Sequence, residues 1–275
     1  MRRLRFARTS GGAVGLALLV AVIALALLGP FVAPNAPDEP IGIPLTGPSA
    51  GLPLGTDFLG RDVLSRVLFG GRSVLVLAGA ATVLAYLLGA AVGLFAGHNR
   101  RFIDAFLMRG ADVALSFPPL IFLLILATGL GTSVSVLVVG VALVQAPLVA
   151  RIVRTATAEQ AVRGFVEAAV ARGERTTAIV RRELLPNVAP TIMADVGLRF
   201  TYSIILVASV NFLGLGLQPP SSDWALMISE NRSGLDLNPL VILAPAALIA
   251  LLTIAVNIVG DAIARSLGRS SVESP

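Results

Sequence analysis

The sequence predicts an all-α integral membrane protein built on six transmembrane helices. Three observations carry that expectation. Of 275 residues, 56% are hydrophobic and only 13% charged, with mean hydropathy +0.87, about half the charge of an ordinary soluble domain. Several uncharged stretches reach the roughly 20 residues a helix needs to cross ~30 Å of hydrocarbon. Arginine, which supplies all the basic charge because lysine is absent, is distributed unevenly between the segments joining those stretches.

The first span lies in residues 11–34, GGAVGLALLVAVIALALLGPFVAP. The preceding MRRLRFAR could serve as the basic start of a signal peptide. The long apolar run, ending in Gly29-Pro30 without a small-x-small cleavage site, favours an uncleaved anchor; cleavage would leave five spans. The second span occupies residues 73–99. Residues 113–150 are uncharged throughout, too long for one helix, and break at Gly129-Leu130-Gly131-Thr132-Ser133 into spans three and four. Pro118-Pro119 and Pro147 are expected to kink them. Span five is expected at about 188–217 and span six at about 239–260.

An even number of spans puts both termini on one side. Taken as cytoplasmic, that side collects Arg2, Arg3, Arg5, Arg8, Arg100, Arg101, Arg109, the seven arginines from Arg151 to Arg182, Arg265 and Arg269. The other side holds Arg61, Arg66, Arg72 and Arg232. Sixteen against four places both termini inside.

Two segments depart from apolar helix. In residues 34–72, a Pro/Gly-rich stretch gives way to LGTDFLGRDVLSRVLFGGRS, where Val63, Leu64, Val67 and Leu68 recur at helical spacing. This predicts an amphipathic helix along the outer membrane surface. The second is polar and cytoplasmic, residues 151–187, with FVEAAVARGERTTAIVRRELLPN. It reads as two short helices joined at Gly173 and ended by Pro186. Such an elbow suits docking to a soluble partner, and equally suits a solvated connector whose arginines enforce topology.

Glu167-Ala168-Ala169, then Gly173 and Leu185-Pro186, resemble the EAA-x3-G…LP signature of membrane subunits of binding-protein-dependent ABC importers. Leu54-Gly55-Thr56-Asp57-x-Leu59-Gly60-Arg61-Asp62 is similar to a motif of the dipeptide/oligopeptide/nickel permease branch, in the second of its two membrane subunits. Phe212-Leu213-Gly214-Leu215-Gly216 with Gln218-Pro219-Pro220 and Trp224, and Asn257-x-x-Gly260-Asp261, resemble two further stretches. The resemblance covers residues 54–262, in order. The tail ARSLGRS departs from the branch, which usually has an acidic motif there.

The resemblance implies a type I ABC importer transmembrane fold in a bacterial cytoplasmic (inner) membrane. Residues 1–33 would form a cytoplasmic arm and first helix, 34–72 an external segment, 73–262 the transmembrane domain with its coupling loop at 151–187, and 263–275 a cytoplasmic tail. It implies a homologous second membrane subunit, two ATP-binding subunits that hold ATP and Mg, and an extracytoplasmic solute-binding protein. Glu167, Ala168, Ala169, Gly173, Leu185 and Pro186 would seat the loop on an ATPase. Small residues would permit close approach, and Pro186 would let the loop hinge separately from span five. Di- or oligopeptides are the implied substrate, with nickel or glutathione-like compounds as alternatives.

Read without the resemblance, the residues set independent bounds. A phosphate-binding G-x-x-x-x-G-K-[ST] loop is impossible without lysine. Without cysteine there is no disulfide, thiolate metal site or cysteine nucleophile, and His98 alone makes neither a zinc site nor a triad. No catalytic residue, bound cofactor, metal site or nucleic-acid partner is therefore expected. Ala81, Ala85, Gly89, Gly93 and Gly97 form a small-residue stripe for helix packing or a subunit interface. Asp195 and Arg199 can pair four residues apart, near the cytoplasmic end of span five. Arg199 and the amides Gln145, Asn211 and Asn257 are candidates for a pore lining or for cross-links between helices. An ion-gradient-driven secondary transporter is the rival class, although no inverted repeat is evident.

Overall fold

The computed structural model of the chain describes residues 10–98, 101–218 and 220–270. The arginines at 2, 3, 5, 8 and 100, together with Pro219 and the last five residues, lie outside the described residues.

The described residues are helical, with only isolated bridges and no strand. The helices are α1 (Ser10–Val32), α2 (Val63–His98), α3 (Arg101–Ser116), α4 (Pro119–Leu130), α5 (Val134–Ala161), α6 (Gly164–Ala171), α7 (Thr176–Ile179), α8 (Leu185–Phe212), α9 (Trp224–Glu230) and α10 (Leu240–Ser270). A π turn, Val180–Leu184, joins α7 to α8. Five helical stretches are long and apolar enough to cross a membrane, and α3 with α4 makes a sixth, bent by 82°.

The bend follows from Phe117-Pro118-Pro119. Proline disfavours helix in the residue before it, and Pro119 is tolerated at a helix start, where its missing N–H costs nothing. The third span is thus a broken pair, and it begins at Arg101, well before the expected Val113. By contrast α5 runs through Pro147 without interruption. The reversal between α4 and α5 falls where expected, and the Ser133 hydroxyl caps α5 by accepting from the Val136 N–H.

The helices also outrun their apolar windows. Span six continues past Gly260 to Ser270, and span four past Ala150 to Ala161. At the other end of the molecule, α2 begins at Val63, so the stretch expected as a separate surface helix is the first turns of a single 36-residue helix. Its arginine is the reason: Arg66 points into the protein, where it is fully buried.

Helix α2 is the spine of the fold, with α5 along most of its length and α8, α1 and α10 around it. The small-residue stripe faces α5. A Cβ added at Gly89 would lie 2.5 Å from the Ala146 carbonyl oxygen, and one at Gly97 2.6 Å from Thr157 Cβ. Close backbone approach of this kind replaces the hydrophobic drive that lipid does not supply. Helix α10 packs on α8 where Gly197 lies under Asn257, and on α1 where Gly15 lies against Ile258.

Candidate functional site

The arginine-rich end of the molecule carries the elbow. Helix α5 stops at Ala161 and the chain turns through Arg163 into α6. Val166 and Ala169 are buried against Leu94 of α2, Val149 and Val153 of α5, and Ile179, Leu184 and Val188 of the α7–α8 run. Glu167, Ala168 and Val170 occupy the exposed side. At Gly173 the backbone takes φ +74°, and a Cβ there would meet nothing within 4 Å. Glycine is needed for the conformation, not for space. Arg172 donates to Glu174 from Nη2 at 2.6 Å and from Nε at 3.0 Å, closing the turn.

Two expectations for the elbow are corrected. Ala169 does not face outward: it has no exposed surface and belongs to the protein's own core, leaving Glu167 and Ala168 on the accessible side. Pro186 does not end the elbow, because Thr176–Phe212 is one helical run of 37 residues. The π turn explains how. The Leu185 N–H reaches back five residues to the Val180 carbonyl, and the widened turn absorbs a ring that would crowd the carbonyl four residues earlier. Asn187 Nδ2 donates to the Glu183 carbonyl at 2.6 Å. Leu185 is partly exposed beside the fully buried Leu184.

His98, at the end of α2, lines a small cleft with Val166, Glu167, Val170 and Ala161. Nothing in the sequence marks His98 and Glu167 as lining one cleft.

The polar groups within the spans tie helices together. Gln145 Nε2 on α5 donates to Ser203 Oγ on α8 at 2.6 Å, and Ser203 Oγ lies 2.9 Å from Thr82 Oγ1 on α2. Asn257 Nδ2 on α10 reaches Thr201 Oγ1 on α8 at 3.2 Å and the Thr253 carbonyl at 2.8 Å. Arg199 Nε pairs with Asp195 at 3.2 Å, and the Tyr86 hydroxyl of α2 donates to the same carboxylate at 2.7 Å. Asn211 plays a different part: its Oδ1 accepts the Leu217 N–H at 2.7 Å and holds the turn after α8. Tyr86, Thr82 and Ser203 were not singled out in the sequence; polar side chains common in any helix carry no mark of the partner they meet.

At the arginine-poor end, residues 34–62 fold over α9. Asp57 Oδ2 accepts from Arg61 Nε and from Arg66 Nη1, each at 2.7 Å, and Glu230 Oε2 accepts from Arg66 Nη1 at 2.8 Å and Arg61 Nη2 at 3.2 Å. All four side chains are essentially buried, two acids against two bases. The loop geometry demands Gly60, whose φ is +77° and whose added Cβ would sit 2.2 Å from the Gly42 carbonyl oxygen. Asn238 Nδ2 donates to the carbonyls of Thr46 and Leu54. Trp224 is fully buried, and its Nε1 donates to the Val67 carbonyl at 2.7 Å. Asp223 caps α9 by accepting from Ala225 N and Leu226 N. Burial pushes its carboxyl above the ordinary range in spite of those bonds. Among the described residues, no group of three metal-ligating side chains comes together.

Comparison with known proteins gives the family and the fold. The sequence matches the family described as binding-protein-dependent transport system inner membrane component over residues 85–271. It is 32% identical over 256 residues to the dipeptide transport system permease protein DppC of Alkalihalophilus pseudofirmus, covering 92% of this chain and 84% of that protein. It is 34% identical over 221 residues to the glutathione transport system permease protein GsiD of Pectobacterium atrosepticum, covering 80% and 73%. The di/tripeptide transport system permease protein DppC of Pseudomonas aeruginosa is 32% identical over 269 residues, covering 95% and 89%. Among solved structures, a chain of the inward-facing MetNI methionine ABC transporter superposes with TM-score 0.62 at 19% identity, covering 74% of this chain and 96% of that one. At that identity the likeness concerns the fold alone.

Proposed function

This chain belongs to the family of binding-protein-dependent transport system inner membrane components, and on that premise we propose that it forms half of the translocation path of an importer for di- and oligopeptides. Membership makes it the permease subunit of an ABC importer and sets aside the ion-gradient-driven alternative. The other half of the path would come from a homologous second membrane subunit. Two separate ATP-binding subunits would hold ATP and Mg, and an extracytoplasmic solute-binding protein would deliver the peptide.

The observation that carries this reading is the elbow: α6 presents Glu167 and Ala168 outward and buries Ala169 against α2, α5 and α7–α8. A partner pressing on that exposed face acts on four helices through one packed cluster. Nucleotide-driven movement of an ATPase would therefore reach α8 without passing through a loose joint. The glutathione relative keeps a second substrate in view, since glutathione is itself a short peptide-like acid.

Affinity purification of the chain from its own membrane in mild detergent, with mass spectrometry of what accompanies it, tests the assembly. A second permease and ATPases carrying a Walker A loop are expected. The associated binding protein, titrated with dipeptides, longer peptides, glutathione and nickel, then assigns the cargo. Transport by the chain alone in liposomes, without ATP, would overturn the reading.

A further inference from the structure

Between α3 and α5, at the arginine-rich end, lies an open cleft of about 520 Å³ that the transport mechanism above does not use. It is lined by Asp104, Met108, Arg109, Asp112, Arg151 and Arg154, among others. Two ion pairs cross it: Arg151 Nη2 with Asp112, and Arg154 Nη2 with Asp104. Those carboxylates account for two of the three guanidinium groups. Arg109 is exposed and has no carboxylate within ion-pair distance among the described residues. The cleft therefore carries one surplus positive charge, and Arg151, half exposed in its pair, keeps donors directed at solvent.

The face of α3 beside Arg109 is apolar and uncovered. Phe102 is 84% exposed and Phe106 72%, and Val113 extends the same face at helical spacing. Because α3 and α4 are bent by 82°, α3 does not continue the line of α4. It is an amphipathic helix whose aspartates face α5, while Arg109 lies seven residues after Phe102 and three after Phe106, where the cleft meets the phenylalanines. An amphipathic segment of this kind, as the first half of a broken span, suits the boundary between headgroups and acyl chains. Arginine forks match phosphate oxygens, and basic clefts between helices on the cytoplasmic side suit anionic headgroups. A free anion would have no use for the adjoining phenylalanine face; a molecule with a phosphate and a hydrocarbon tail fits both.

We propose that this cleft binds the headgroup phosphate of an anionic phospholipid of the cytoplasmic leaflet. Arg109 is the principal donor, Arg151 assists, and the acyl chains lie along Phe102 and Phe106. The site is independent of the transported substrate.

Native mass spectrometry of the full-length chain in detergent provides the test, with phosphatidylglycerol and phosphatidylcholine of matched acyl chains as probes. The wild type is expected to retain phosphatidylglycerol about fivefold over phosphatidylcholine, as one surplus arginine at an anionic surface would give. Arg109→Gln, which disturbs neither ion pair, is expected to abolish that preference while leaving the thermal midpoint unchanged. Arg232→Gln, at the opposite end, is expected to keep it. Equal retention of the two lipids by the wild type would overturn the proposal, as would an unchanged preference in Arg109→Gln. Retention of inorganic phosphate by the lipid-free wild type as firmly as phosphatidylglycerol would overturn it too, marking a site for free anions.

Discussion

Gly93 of α2 faces the backbone of α5 so closely that a Cβ there would lie 2.6 Å from the carbonyl oxygen of Ala150. The obstacle is main chain, which cannot rotate aside. Gly93→Val is therefore expected to lower stability by about 1–3 kcal/mol or more, read as a fall in the thermal midpoint of the detergent-solubilised chain. Gly79→Ala, where a Cβ meets nothing within 4 Å, is expected to leave that midpoint unchanged or slightly raised.

The buried charge cluster of Asp57, Arg61, Arg66 and Glu230 is balanced, so removing one member leaves a charge without its partner. Arg66→Met is expected to cost about 3–5 kcal/mol and to free residues 34–62 from α9. Limited proteolysis should then cut within that segment at protease levels the wild type resists. Resistance equal to the wild type would show that the cluster does not hold the segment down.

Asp223 yields a prediction with a sign. Its raised carboxyl pKa means that the folded chain keeps a proton over a pH window in which the unfolded chain has released it. The contribution to stability is complete below the unfolded value, about pH 4, and is lost as pH rises towards the raised native value. Asp223→Asn keeps an N-cap acceptor without the buried charge. It should gain stability relative to the wild type as pH rises from about 4 to 7, with the two converging at the acid end.

For the elbow, Ala168 and Ala169 should separate by readout. Ala168→Trp lies on the exposed face and is expected to leave the midpoint intact while uncoupling ATP hydrolysis from uptake in the assembled importer. Ala169→Leu overfills a closed core and is expected to lower the midpoint by an amount worth about 1–3 kcal/mol. Gly173→Arg forces a side chain into left-handed backbone at a cost of about 1–2 kcal/mol, with loss of uptake and retained membrane insertion. Normal peptide uptake by both Ala168→Trp and Gly173→Arg would remove the elbow from the coupling path.

The spans were legible because run length and the absence of charge are local properties, and the break at Pro118-Pro119 because proline acts on its own backbone. Helix ends were not, wherever a charge inside a helix finds its counter-charge on another one. Arg151 and Arg154 looked like loop residues until Asp112 and Asp104 met them. Arg66 looked like a surface residue because one of its two partners, Glu230, lies far along the chain. Ala168 and Ala169 are chemically identical, and only tertiary packing decides which one a visitor can touch. The small-residue stripe was visible from spacing, while the identity of the helix filling it was not.

The uninterrupted run from Thr176 to Phe212 has a mechanical consequence. It is fixed near its middle, where Gly197 lies under Asn257 and Ser203 joins Thr82 and Gln145. Taken as straight, it extends about 32 Å from Gly197 to Thr176 and about 22 Å from Gly197 to Phe212. It is a see-saw with unequal arms: a sideways displacement of about 3 Å at the cytoplasmic tip emerges at the far end reversed in direction and reduced to about 2 Å. Were the run to pivot near Gly197 as one body with the cluster packed on it, an inward push at one end would become an outward swing at the other, and a path beside it would not widen at both mouths in the same stroke.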